Sequence, residues 1–430
     1  MKRDTTAYAK HIMMVLILVL VLTLPAIGGC DDDDGGTSTV TITRTATATQ
    51  TATQTATSTP TATSTRDTRP IKIGGIADYS GQGAITGQYA NAATELIKMQ
   101  IEEQGGILNG RPLKVISEDC EGVVSKASVS AQKLVRTDKV SAMVWGGVTS
   151  ANGHAVAAVT DPARVFFATL FSDTTLVSDY TYTAYAGSAS ATSYQRITIK
   201  AVQNLFHPAT IVYVVMKAPA AQALSKAVKK ECEDIGIKTE GYIELDVENL
   251  DIAPIATRLR YLSPDLVLYW LPVNNIIALN TSMEAQGGWG DIETFSVYAY
   301  GAATQVAQGR GSDGMYTVTG WWDNPGDPAV TAYTTAWKKA FAEGRGAFKA
   351  FGPMPDNNVA LYYNCLKAVI AAIELAGTDD PEEVAKAALS GKLQFESAMG
   401  LATVDTDGSN NLLPKVLRIE GGKFVLVDIQ

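Results

Sequence analysis

Residues 71–97, "IKIGGIADYSGQGAITGQYANAATELI", read as a β-strand, a loop punctuated by Gly81, Gly83 and Gly87, and an α-helix. A glycine-rich turn between strand and helix is where a dinucleotide would sit, so the spacing has to be weighed. Gly81-Gln82-Gly83-Ala84-Ile85-Thr86-Gly87 carries one residue too many before the third glycine. The acidic residue closing the next strand, Glu118 or Asp119, lies more than thirty positions past Gly87, where about 20 are expected. The nucleotide reading is set aside. Residues 78–87 are instead expected to face another ligand, because open α/β sheets bind ligands beyond the carboxyl ends of their strands.

Outward from this stretch the pattern alternates. "LKVISED", "VSAMVWGG" and "VFFATL" read as strands, with "SKASVSAQKLVRT" and "SANGHAVAAVTDP" as helices between them. Strand and helix in turn predict a parallel sheet covered by helices on both faces. The glycines of "EEQGGILNG" stop the first helix, and Ser125 and Ser150 fall where N-caps belong. The grammar restarts after an Ala-, Ser-, Thr- and Tyr-rich stretch at 185–194, with "ATIVYVVM", "AQALSKAVKKECEDIG", "KTEGYIEL", "IAPIATRLRYL", "PDLVLYWLP", "NIIALNTSMEAQG", "TFSVYAY" and "GMYTVTGWW". That restart marks a lobe boundary. Helices "DPAVTAYTTAWKKAFAEG", "NNVALYYNCLKAVIAAIELAG" and "PEEVAKAALSG" follow, then short strands "GLATVD", "PKVLRIE" and "KFVLVDI", whose close turns predict antiparallel pairing. A chain of 430 residues with 46% hydrophobic content suffices for two such cores.

The first seventy residues follow other rules. Lys2, Arg3 and Lys10 precede "IMMVLILVLVLTL" and then "PAIGGC", the pattern of an export leader. The apolar run is shorter than the roughly 20 residues of a spanning helix. Ile27-Gly28-Gly29-Cys30 resembles the lipobox of bacterial lipoproteins, which implies a signal peptide at 1–29 and lipidation of Cys30; an ordinary signal peptide with a chance cysteine is the alternative. After Cys30 come "DDDDGG" and a Thr/Ala/Ser-rich run with no apolar period, so 30–70 is expected to be a disordered tether. Its root-mean-square reach is roughly 30 Å. Cleavage removes three positive charges and one negative, so the formal net charge of −9 becomes −11. Such a surface does not suggest nucleic acid as a partner. Cys120, Cys232 and Cys365 remain, an odd number that allows at most one internal disulfide.

"IKIGGIADYSGQGAITGQ", "IEEQGGILNGRPLKVISEDCEG", "AQKLVRTDKVSAMVWGGVTSANGHAVAAV" and "YNCLKAVIAAIELAGTDDPEEVAKAAL" resemble the ABC-transporter solute-binding proteins of the leucine/isoleucine/valine-binding family. The resemblance runs from Ile71 to Gln430. It implies an α/β fold of the type I periplasmic kind, two lobes joined by three hinge crossings, a ligand in the interlobe cleft and closure around it. Lobe 1 is then expected at 71–187 and 320–402, lobe 2 at 188–319 and 403–430. The family also implies a small amino acid or related carboxylate as ligand, an ABC permease as partner, and a monomer held by its lipid on the outer face of the cytoplasmic membrane.

The loops after the strands supply the expected contacts: Tyr79 and Ser80; Trp145, Thr149 and Ser150; Phe171, Ser172 and Asp173; Tyr298 and Tyr300; and Trp321. Ser150 leads, because a serine opening a helix offers its hydroxyl and the free N–H groups of the first turn to a carboxylate; in the resembled family a serine in this loop has that role. For every one of these, capping, core or hinge packing is the competing reading. The chain also departs from the family. Where its amino-acid binders carry an acidic residue for the ammonium, "FSVYAYG" has Tyr298 and Tyr300; a frequent Tyr-Gly pair is replaced by Ala220 and Ala221; and a cysteine that often pairs with one near Cys120 is missing near Gly147. The aromatic replacements suggest an aromatic or apolar acid. Asp78 and Asp173 are the acidic residues left to meet an ammonium, with solvated loop charge as the alternative. No catalytic residue, metal site or cofactor is expected: histidine occurs only at His11, His154 and His207, and no hydrolase or zinc motif appears. A receptor subunit that senses ligand through a membrane signalling partner is the rival to transport.

Overall fold

A computed structural model describes residues 67–429 apart from 82, 148, 172, 247–251 and 298–310, and apart from the side chains of 219, 220, 273 and 274. The leader, Cys30, the tether, Ser172, Tyr298 and Tyr300 lie outside the described residues.

Strands β1 (Ile71–Ala77), β2 (Leu113–Asp119), β3 (Ala142–Trp145), β4 (Phe167–Thr169) and β5 (Thr183–Tyr185) form one parallel sheet in the order β2-β1-β3-β4-β5. Helices α1 (Ile85–Glu103), α2 (Val124–Gln132), α3 (Ser150–Thr160) and the single turn α4 (Thr175–Ser178) fill the connections. The double glycine of β1 has a packing reason. A Cβ on Gly75 would lie 2.4 Å from the indole of Trp145, so the bare backbone of β1 lets the largest side chain of β3 lie against it.

The second sheet has the order β14-β13-β10-β9-β8-β6-β7. Strands β6 (Thr210–Met216), β7 (Lys238–Leu245), β8 (Leu266–Trp270), β9 (Glu293–Val297) and β10 (Tyr316–Thr319) run parallel. Strands β13 (Lys415–Glu420) and β14 (Lys423–Leu426) add an antiparallel edge, and β11 (Leu393–Ser397) pairs with β12 (Gly400–Val404) as a separate hairpin. The expected antiparallel ending is thus present. α5 (Ala191–Ala201), α6 (Pro219–Asp234), α7 (Ala253–Leu262) and α8 (Val273–Glu284) belong to this sheet. α9 (Pro328–Ala342), α10 (Asn357–Ala376) and α11 (Pro381–Ala388) return to the first. α10 is apolar because most of its sides are covered, by α1, α11, β3, β4 and β11.

The chain therefore crosses between the sheets three times, at 186–190, 320–327 and 405–414. The first and third crossings are tied together: Tyr185 N donates to Gly408 O (2.9 Å), and Asn410 Nδ2 donates to Tyr185 O (3.0 Å) and Ser188 O (2.8 Å). The second is held by Asn357, whose Oδ1 accepts from Trp321 N (2.9 Å) and Thr319 Oγ1 (3.2 Å). In the first sheet the strand order reverses between β1 and β3, and in the second between β6 and β8. Crevices at such switch points, beyond the carboxyl ends of the strands, are where this architecture holds ligands.

Candidate functional site

The switch point of the first sheet brings the loops after β1, β3 and β4 to one edge, since Ile76 pairs with Trp145 and Trp145 with Thr169. Three consecutive positive φ values, 77° at Trp145, 102° at Gly146 and 94° at Gly147, turn the chain from β3 toward α3. Tryptophan is a costly residue for that region. Its ring explains how the turn is held: the indole is 0% exposed, its Nε1 donates to Tyr362 O (3.0 Å), and it packs on the Tyr362 ring at 5.4 Å. Stacking of Trp145 on a ligand is therefore corrected to core packing, because the ring that fixes the turn cannot also face the cleft.

The cap of α3 also differs from expectation. Thr149, not Ser150, is the N-cap. Its Oγ1 accepts from Asn152 N (3.3 Å), and Asn152 Oδ1 accepts from Thr149 N (3.2 Å), a reciprocal capping box. At α2 the cap position is Val123, without a side-chain bond, so Ser125 is not a cap either. The change at α3 frees rather than occupies the serine. Of the N–H groups that a helix leaves open at its start, that of Asn152 is bonded to the cap, while those of Ser150 and Ala151 have no partner among the described residues. Half-buried Ser150 thus presents its hydroxyl and two adjacent N–H groups at the switch point.

Tyr79 and Ser80 are fastened to β2. The Asp119 carboxylate accepts from Tyr79 N (3.0 Å), Ser80 Oγ (2.6 Å) and Glu121 N (2.9 Å). Burial opposes its charge, but these bonds prevail and hold the carboxyl below its ordinary range. Asp78 is no solvated loop charge: it is 0% exposed, Cys120 Sγ donates to its Oδ1 (2.9 Å), and its Oδ2 has no partner. Burial, with the neighbouring Asp78, pushes the Cys120 thiol up to about 12, so it remains a protonated donor. Cys120, Cys232 and Cys365 are all free and buried. A Cβ on Gly147 would lie 3.0 Å from Cys120 Sγ, so the position expected to hold a partner cysteine is in reach but carries glycine.

Phe171 lies half-buried with its ring over the start of α3; a Cβ on Gly153 would meet it at 2.9 Å. Asp173 accepts from Thr175 N (3.0 Å) and Thr175 Oγ1 (2.7 Å) and lies 3.6 Å from His154 Nε2. Burial again opposes its charge, and the Thr175 and His154 contacts outweigh it, so its carboxyl is lowered. The Tyr185 hydroxyl donates to the Asp173 carbonyl. Trp321, at the second crossing, is 4% exposed, packs edge-on against Tyr333 at 6.0 Å, and has an unpartnered indole N–H. The structure thus gathers Tyr79, Ser80, Thr149, Ser150, Phe171 and Asp173 at one edge, with Trp321 at a crossing. Sequence reading passed over Asn152, His154 and Asp119. The first two had a signal: Thr149-x-x-Asn152 is the spacing of a capping box, and His154 falls four residues after Ser150, on the same helix face. Among the described residues no group of three or more His, Cys, Asp or Glu is arranged to hold a metal.

Two α/β lobes joined by three crossings, each sheet reversing its strand order at a switch point, define the class of two-lobed, type I binding proteins. Residues 70–423 match the family described as periplasmic binding protein, and the chain belongs to that family. Among curated proteins it is 26% identical over 213 residues to the Leu/Ile/Val-binding protein homolog 1 of Brucella abortus, covering 48% of this chain and 52% of that protein. The chain thus spans about half the length of this curated relative. A leucine-binding protein from Thermotoga maritima has a similar fold (TM-score 0.68, 17% identity, 83% of this chain and 98% of that one). So do a solute-binding protein from Rhodopseudomonas palustris BisB5 in complex with 3,4-dihydroxybenzoic acid (0.70, 18%, 83% and 96%) and a branched-chain amino acid transporter substrate-binding protein from Streptococcus pneumoniae in complex with isoleucine (0.70, 18%, 84% and 100%). Proteins of this family are extracytoplasmic solute-binding proteins rather than enzymes.

Proposed function

We propose that this chain is the solute-binding component of an ABC importer and captures a small amino acid or related carboxylate, including aromatic or apolar acids, by hinge closure. The observation that carries this reading is the open first turn of α3, where the Ser150 hydroxyl and the Ser150 and Ala151 N–H groups converge at the switch point. Tyr79, Ser80, Thr149, Phe171 and Asp173 flank it, and Trp321 meets the ligand from the crossing; Ser172, Tyr298 and Tyr300 complete the proposed set. Residues 71–187 with 320–402 act as one closing body, and 188–319 with 403–430 as the other. A ligand favours closure only through contacts it gains in the closed form. The mature chain is a monomer anchored through lipidated Cys30, presenting its closed form to a permease. The isoleucine and 3,4-dihydroxybenzoic acid named with the similar structures make both ligand types reasonable candidates.

The test is a thermal-shift panel of aliphatic amino acids, aromatic carboxylates, short amides and nucleotides on the wild-type chain and two variants. Carboxylates are expected to raise the melting temperature and nucleotides to leave it unchanged. Ser150→Pro removes the hydroxyl and one N–H, yet proline suits the first helical position and Thr149 is already extended (φ −126°, ψ 156°). It is expected to fold normally and lose carboxylate binding, while Ser150→Ala loses about 1 kcal/mol of affinity. Undiminished binding by Ser150→Pro removes α3 as the carboxylate site.

A further inference from the structure

His154 lies one turn beyond Ser150 on α3, and the contacts around it allow its protons to be counted. Its Nε2 is 3.0 Å from Thr175 Oγ1, and Thr175 Oγ1 is 2.7 Å from Asp173 Oδ1. A carboxylate only accepts, so the single hydroxyl proton of Thr175 goes to Asp173, along the shorter contact. The hydroxyl then turns a lone pair to the imidazole, and Nε2 must be the protonated nitrogen. Asp173 Oδ2, 3.6 Å from the same nitrogen, favours the same assignment. The second proton is taken up at Nδ1, which leaves this chain of hydrogen bonds intact and adds a positive charge beside Asp173.

The same strip is held to α3 at a second point, where the Phe171 ring covers Gly153, the residue before His154. The other titratable groups near His154 are Tyr180, whose ring lies at 5.7 Å, and Tyr185, whose hydroxyl is on the Asp173 carbonyl; Asp179 and Asp161 lie around Tyr180. α2 also packs on α3, and its Lys126 is already paired with Glu121 (2.6 Å), as is Lys133, just beyond it, with Glu118. No other residue of α3 carries charge. Asp173 is thus the charge that answers His154.

We infer that His154 is a positioning residue: it clasps Asp173 and Thr175 to the first turn of α3, and its protonation tightens the clasp and adds positive charge one turn from the carboxylate site. This rests on the reading of Ser150 and Ala151 as that site. Protonation of the ring is then expected to raise affinity for a carboxylate ligand several-fold.

Two measurements on the full chain separate the parts. Long-range nitrogen NMR of the His154 ring, assigned by its loss in His154→Gln, is expected to show the Nε2–H tautomer at high pH, and Thr175→Val is expected to abolish that preference. An Nδ1–H ring in the wild type, or a preference indifferent to Thr175→Val, overturns the clasp whether or not any ligand binds. The second measurement is affinity against pH for whichever of leucine, isoleucine, benzoate or 4-hydroxybenzoate shifts the melting temperature. His154→Gln retains a donor to Thr175 but cannot charge, and is expected to give a flat profile; His154→Ala is expected to bind more weakly at every pH. Parallel profiles in wild type and His154→Gln overturn the link to binding. If Ser150→Pro binds normally, the site reading fails and takes that link with it, while the NMR result stands by itself.

Discussion

At the amino end of the first sheet, one buried arginine gathers partners from two other segments of the chain. Arg111 is 6% exposed, and its guanidinium binds Asp379 Oδ2 (2.6 Å) and Arg69 O (2.8 Å), with Asp67 at 3.4 Å. Beside it Leu108 N donates to Glu374 Oε1 (2.8 Å), so the turn between α1 and β2 is fastened to the end of α10. The carboxyl end of the same sheet is left incomplete. Asp78 Oδ2, Asn152 Nδ2 and the Tyr79 hydroxyl are buried without partners, and two N–H groups of α3 are open. Buried polar groups are ordinarily satisfied. Those at the carboxyl end lie beside the proposed carboxylate site, whereas the Arg111 cluster ties the amino end of the lobe together.

The comparison breaks most easily at Arg111. Arg111→Ala is expected to cost about 2–3 kcal/mol in urea unfolding, because half-exposed Asp379 and the Arg69 carbonyl lose a charged donor. Ligand affinity of the folded protein should not move, and a large loss of affinity would mean that the two ends are coupled. Asp78→Ala is expected to cost about 2 kcal/mol by orphaning the Cys120 thiol in a new cavity; Asp78→Asn, which still accepts from sulfur, should cost less than half of that. Asn152→Ala removes the capping box and is expected to cost about 1 kcal/mol of stability. It should also weaken carboxylate binding, which no change at the amino end should do.

The smallest expected effect is a pH dependence. The Arg111 hydrogen bond lowers Asp379, and the loop hydrogen bonds lower Asp119 against burial. A carboxyl held lower in the folded state stabilises fully above its ordinary pKa of about 3.9, and that contribution is lost as pH falls through the folded value. Unfolding midpoints should therefore decline below about pH 4. The decline should be shallower in Arg111→Ala, which removes the Asp379 part; equal slopes would remove Asp379 from this account.

The alternation of strands and helices was legible because each element buries a periodic face, and the glycine spacing of residues 81–87 argued against a dinucleotide loop. β11 was missed: "LQFES" alternates buried and exposed residues over only five positions, too few to stand out, and it forms because β12 supplies its partner. Ser150 was found by its place before an apolar run, yet the identity of the cap depended on one residue of register, which Asn152 fixed from inside the helix.

What the sequence determined by itself is local or additive: element type, the order of two α/β lobes, the distinct composition of residues 1–70, and the loops that end at strand tips. Which side chains in those loops face outward was decided only in three dimensions. Trp145 was buried because Gly75 leaves room on β1 and Tyr362 offers a carbonyl from a helix more than two hundred residues away. Asp78 was drawn inside by Cys120, and Asp173 was joined to His154 through Thr175. Periodicity specifies a face averaged over an element, but burial and hydrogen-bond partnership at a strand end depend on which distant segment arrives there, and no local pattern carries that.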